Sequence, residues 1–159
     1  MTTKIFISHQ VMDSTLATRI SSRLRLNHSI DSYLDVIDPG IKRGEDLAMH
    51  IQAEMGKCTH LLAVVSSSTR LSWWVPWEIG VATEKDYPLA TYLSNVTEVP
   101  EYLRKWPYLV SDHDLDIYAI ASKASTENLT ESRKIASESV ARIRSTRQFY
   151  AAIRGKLGQ

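Results

Sequence analysis

The chain has 159 residues, 43% of them hydrophobic and 23% charged, with a formal net charge of +1. A chain of this length and make-up buries one sizeable core, lies outside the disordered and fibrous classes, and has no global electrostatic pull toward nucleic acid. Cys58 is its single cysteine, the five histidines are scattered, and no apolar run reaches bilayer length, so the expected protein is soluble and cytoplasmic, without disulfide, metal site or membrane span.

Lys4-Ile5-Phe6-Ile7-Ser8 is β-branched and aromatic and predicts a first strand, entered without a signal-peptide layout and followed by a loop over 8–12. Asp13 is the expected N-cap of a helix in which Leu16, Ala17, Ile20, Leu24 and Leu26 recur at helical spacing to about residue 27. A second strand is predicted over 31–36, and Pro39-Gly40 with Gly44 makes 37–44 an exposed, turn-rich loop. Leu47, Ile51 and Met55 restore helical periodicity over 45–57.

His60-Leu61-Leu62-Ala63-Val64-Val65-Ser66 is nearly all apolar rather than alternating, the pattern of a central strand covered on both faces. A polar loop over 67–72 leads to Trp73-Trp74-Val75-Pro76-Trp77-Glu78, where Pro76 is expected at the first position of a helix running to about 85. Glu78 then falls in the first turn, near the carboxyl end of the preceding strand. An acid there either stabilises the helix start by about 0.3 to 1 kcal/mol or faces a ligand, and the position alone fits both. The tryptophans beside it serve equally as core or as a stacking platform.

Residues 88–93 and 108–110 predict a fourth and a fifth strand, with a weaker helix over 98–106. Strands and helices alternating in this way specify an α/β fold with a parallel sheet of five strands and helices on both faces. One domain over 1–126 is expected, followed by a C-terminal amphipathic helix over 127–159 that packs on it. That helix is read as starting in the capping-box-like Asn128-Leu129-Thr130-Glu131 and carrying a stripe of Leu129, Ala136, Val140, Ile143, Tyr150 and Leu157. From Leu129 onward, seven Lys or Arg stand against two Glu, so the tail is strongly basic, with Arg142 and Arg144 expected on a solvated face or against a partner.

Three motifs, met in order, resemble the Toll/interleukin-1 receptor (TIR) domain family over about residues 4–110. Ile5-Phe6-Ile7-Ser8-His9 followed by Asp13 is similar to the first strand and loop of bacterial members, Asp38-Pro39-Gly40 to the loop after the second strand, and Ser72-x-Trp74-x-x-x-Glu78 to the family's Ser-x-Trp-x-x-x-Glu box. Val75 departs from the cysteine of many members, and Gln10-Val11 from their small polar residues.

The resemblance implies a flavodoxin-like sheet and, in the enzymatic branch, cleavage of the nicotinamide–ribose bond of NAD⁺, which is substrate rather than cofactor. It gives Glu78 the role of catalytic glutamate and Trp74 that of the box tryptophan. Ser8, His9 and Gln10 would line the same pocket, and Arg43, with Lys42, would meet the pyrophosphate. Standalone members of this kind resemble those of antiphage defence, such as the Thoeris systems, which make a diffusible ADP-ribose-derived signal for a separate effector and often assemble with copies or other TIR proteins. A non-catalytic TIR–TIR interaction module and a nucleoside deoxyribosyltransferase-like enzyme, which shares the sheet and a catalytic glutamate, are the alternatives.

Overall fold

The nearly unbroken apolar run His60–Val65 is the central strand, buried at every residue as a strand covered on both faces must be. A computed structural model of the chain describes residues 1–34, 44–72, 74–96 and 99–159. The elements follow in the order β1 (Lys4–Ser8), α1 (Ser14–His28), β2 (Asp31–Leu34), α2 (Gly44–Gly56), β3 (His60–Val65), α3 (Trp74–Glu84), β4 (Leu89–Leu93), β5 (Tyr108–Leu109), α4 (Asp112–Ser132) and α5 (Glu138–Leu157). The sheet order is β2-β1-β3-β4-β5, and every pairing is parallel.

Because strand side chains alternate, the sheet feeds two cores. Ile5, Ile7, Leu62, Val64, Ala90 and Tyr92 pack with α1, α4 and α5 on one face. Phe6, Leu61, Ala63, Val65 and Leu89 pack with α2 and α3 on the other. α1 and α4 are also clasped by charge: Arg19 reaches Asp112 at 2.5 Å, Arg23 holds both Asp112 and Asp116, and the His28 ring lies 2.7 Å from Asp116.

Several expectations are corrected. Asp13 does occupy the N-cap position of α1, but its side chain makes no capping bond; it ends a 3-10 turn, Val11–Asp13, that leads into the helix. Leu26 is 82% exposed, having drifted off the buried Ala17, Ile20 and Leu24 stripe. Residues 35–43, including most of the predicted Pro-Gly loop, lie outside the described residues. In place of a helix over 98–106 there is a 3-10 turn, Glu101–Lys105, whose Leu103 is buried.

The tail differs most. Asn128 lies inside α4, which begins at Asp112 behind a Ser111 hydroxyl accepting from the Asp114 N–H at 3.1 Å, so position 126/127 falls within one continuous helix. The buried face of α4 is rich in small and hydroxylic residues, Ala119, Ala121, Ser122, Ser125 and Thr126, and therefore gives little apolar periodicity. Small side chains let helices approach closely, and Ser145 of α5 donates to the Ser125 carbonyl at 2.7 Å across that contact. α4 ends at Ser132, so the seven-residue stripe is read across a break and loses phase. α5 buries Ala141, Ser145, Phe149 and Ile153, while Val140 and Ile143 are 49% and 38% exposed. Arg142 is not simply solvated: it pairs with Glu138 at 2.7 Å and lies over the Tyr87 ring. The Gln159 carboxamide bonds both the N–H and the carbonyl of Tyr108, occupying polar groups on edge strand β5.

Candidate active site

In a parallel sheet ordered β2-β1-β3-β4-β5, the chain leaves β1 toward one side and continues from β3 toward the other. The loops after β1 and β3 therefore run to opposite sides, and the carboxyl ends of those strands are the switch point at which the crevice of such sheets binds ligands. Ser8, the last residue of β1, and Glu78, one helical turn into α3, meet at this point. The Ser8 hydroxyl donates to a Glu78 carboxylate oxygen, and both residues are fully buried. A second link spans the two loops alongside it, with the Ser66 hydroxyl donating to an Asp13 carboxylate oxygen at 2.7 Å.

α3 is described from Trp74, so Glu78 is its fifth residue and lies beyond the first turn, not third as the position of Pro76 suggests. Pro76 is the third residue and exposed, a place where its missing N–H costs little. The Ser72 hydroxyl accepts from the Val75 N–H at 3.2 Å and so supplies a capping contact at the start of the helix. That assigns the serine of the Ser-x-Trp-x-x-x-Glu box to holding the helix. Trp74 and Glu78, four apart, lie on the same face. Trp74 is half-buried, packs against the core between sheet and α2/α3, and meets Trp77 edge to face at 5.5 Å.

His9 is buried beside Ser8, its Nδ1 3.2 Å from the Ile7 carbonyl, which fixes the proton on Nδ1 in that bond. Gln10 uses its side-chain oxygen to accept from the Met12 N–H at 2.6 Å, capping the 3-10 turn after β1. Arg43 and Lys42 fall outside the described residues. Ser8, Glu78, His9, Gln10 and Trp74 thus gather on the elements flanking the crevice. Sequence reasoning missed the Asp13–Ser66 link, which no linear signal announces, and the capping serine, which the preference of Ser for helix starts could have flagged. Among the described residues no group of three or more His, Cys, Asp or Glu is arranged to hold a metal ion, and no helix is long and apolar enough to cross a membrane.

The family model described as "TIR domain" matches residues 5–116, from β1 into α4. The chain belongs to the TIR domain family. No curated protein matches it. Among solved structures, this TIR chain is similar to the SEFIR domain of IL-17 receptor B, with a TM-score of 0.54 and 8% identity over 77% of this chain and 95% of that one. It is also similar to a 2-deoxyribosyltransferase from the bacterium Bacillus psychrosaccharolyticus, with a TM-score of 0.53 and 9% identity over 71% and 90%. At such identities both likenesses speak to the fold. The TIR match ends inside α4, so most of the α4–α5 pair lies beyond it.

Proposed function

We propose that this TIR protein is an NAD⁺ nucleosidase in which Glu78 is the catalytic residue. The observation that carries the reading is the buried Glu78 carboxylate at the β1/β3 crevice, bonded by the Ser8 hydroxyl at the strand end. In the reaction the C1′–N bond of the nicotinamide riboside breaks and its electron pair passes to the ring nitrogen. Nicotinamide leaves neutral, so no general acid is needed. The ribose carbon becomes oxocarbenium-like, and a carboxylate fixed in a water-poor site stabilises that charge far better than one in bulk water. Water then adds to C1′ and releases a proton, giving ADP-ribose, or a nucleophile within the ADP-ribosyl group closes a ring.

Glu78 has no exposed surface, so the groups over it must move for nicotinamide to reach it. The Ser8 hydroxyl stands where a ribose hydroxyl would donate to the same carboxylate, and Trp74, one turn back, offers its indole to the nicotinamide ring. Ser8, His9 and Gln10 would form the wall on the β1 side, and Arg43 would take the pyrophosphate. The product would serve as a diffusible signal to an effector in antiphage defence, with self-association or a second TIR protein completing the site.

The buried Ser8–Glu78 bond also favours a second reading, in which the carboxylate is a structural pin and the domain binds other TIR domains without catalysis. Mass spectrometry of NAD⁺ incubated with the purified protein at several protein concentrations separates the two. NAD⁺ loss that rises more than proportionally with protein concentration and vanishes in a folded Glu78→Gln variant is the expected outcome. Undiminished turnover by that variant sinks the catalytic assignment, and turnover of nucleosides in its place selects the deoxyribosyltransferase-like reading.

A further inference from the structure

A cavity of about 740 Å³ opens at the carboxyl ends of β3 and β4, between the 3-10 turn Ser67–Leu71 and the 3-10 turn Glu101–Lys105. Ser8, His9, Trp74 and Glu78 do not line it. Its volume suits a small organic ligand, and its apolar lining comes from Val65, Val96, Val99 and Leu103.

Two arginines reach this cavity from opposite turns, Arg70 from the first and Arg104 from the second. Among the described residues neither has an ion-pair partner, in contrast to Arg19, Arg23, Arg133 and Arg142 elsewhere on the chain. Three hydroxyls of the same wall already have partners: Ser66 donates to Asp13, Thr69 accepts from the Ser66 N–H at 2.8 Å, and Ser72 accepts from the Val75 N–H, while Ser67 and the Asn95 carboxamide on the same lining are neutral donors. The two guanidiniums are the charged donors of the lining, and their planar fork matches phosphate oxygens. Tyr102, half-exposed on the same turn as Arg104, offers a flat ring. Glu101 would repel a bare anion but accepts hydrogen bonds from sugar hydroxyls or an exocyclic amine.

We propose that this cavity binds a mononucleotide-sized organic phosphate, its phosphoryl group between Arg70 and Arg104 and its base against Tyr102 and the valine-lined floor. The site goes beyond the Glu78 reading and does not rest on it. Isothermal titration calorimetry of the full chain with AMP, adenosine and inorganic phosphate, on the wild type and on Arg70→Gln, Arg104→Gln, Tyr102→Ala and Glu78→Gln, tests it. AMP should bind, with adenosine, which lacks the charged hydrogen-bonding group, and phosphate, which lacks the base, each weaker by about tenfold or more. Arg70→Gln and Arg104→Gln should weaken AMP by a similar factor, Tyr102→Ala should weaken AMP more than phosphate, and Glu78→Gln should leave AMP affinity unchanged. Circular dichroism of each variant reports its fold, and the exposed, unpaired positions of both arginines make folded variants the expectation. Absence of AMP binding at millimolar concentration overturns the proposal. So does phosphate binding as tightly as AMP, or AMP binding abolished by Glu78→Gln and untouched by the arginine variants.

Discussion

Ser8 and Glu78 are 70 positions apart and meet without solvent, which makes their bond a sensitive point in the fold. A buried carboxylate is costly unless it is hydrogen-bonded. Ser8→Ala removes a donor without changing the backbone and should lower stability by about 1 to 3 kcal/mol, read as a fall in the urea midpoint with an unchanged slope. An unchanged midpoint would show that the bond contributes nothing. The box itself was legible because it is linear: Trp74 and Glu78 four apart on one helix can be read from spacing alone. Ser8 was legible only as a neighbour at the strand end. That its hydroxyl faces Glu78, and that Ser66 faces Asp13, depends on how two loops pack across a crevice, which spacing does not encode.

At the scale of elements, α5 shows which kind of residue carries a helix on its domain. Phe149 is buried between the His60 and Tyr118 rings, edge to face with each, and its neighbour Tyr150 accepts from the Leu89 N–H at 3.1 Å, joining α5 to β4. Phe149→Ala should cost about 3 to 5 kcal/mol, whereas Arg144→Ala, exposed on the far side, should stay within about 0.5 kcal/mol. Equal effects on the thermal midpoint would mean that α5 is not held by this face. The apolar periodicities of α1 and α2 were visible in the sequence because bulky side chains mark their buried stripes. That of α4 was not, since a helix that meets α5 through Ser and Ala buries residues that look solvent-compatible.

For the whole molecule, two titrating groups act in the same direction on the acid side. Burial pushes the His60 ring down to about 3, so between its ordinary value near 6.5 and about 3 the unfolded chain binds a proton that the folded one refuses. Stability from this group is full above pH 6.5 and is lost as the pH falls toward 3. Arg23, and then His28, hold Asp116 down to about 2, so its contribution is present above its ordinary value near 3.8 and is lost as the pH falls through 2. Urea midpoints should therefore decline from pH 6.5 downward, and His60→Leu, which removes the titrating ring and its contact with the Thr59 hydroxyl while keeping an apolar side chain against Phe149, should flatten the decline between pH 6.5 and 4. A parallel decline in both proteins would remove His60 as its cause. By itself the sequence determined the strand–helix alternation, the doubly covered central strand and the Trp74/Glu78 pair, because each is written in local periodicity or spacing. Only the tertiary structure decided the length of α4 and the phase of α5. It alone also set the clasp of α1 on α4, the partners of Ser8 and Ser66, and the convergence of Arg70 and Arg104 on one cavity. Those features arise where segments distant in sequence are brought into contact, and the energy that selects them belongs to the packed chain rather than to any segment of it.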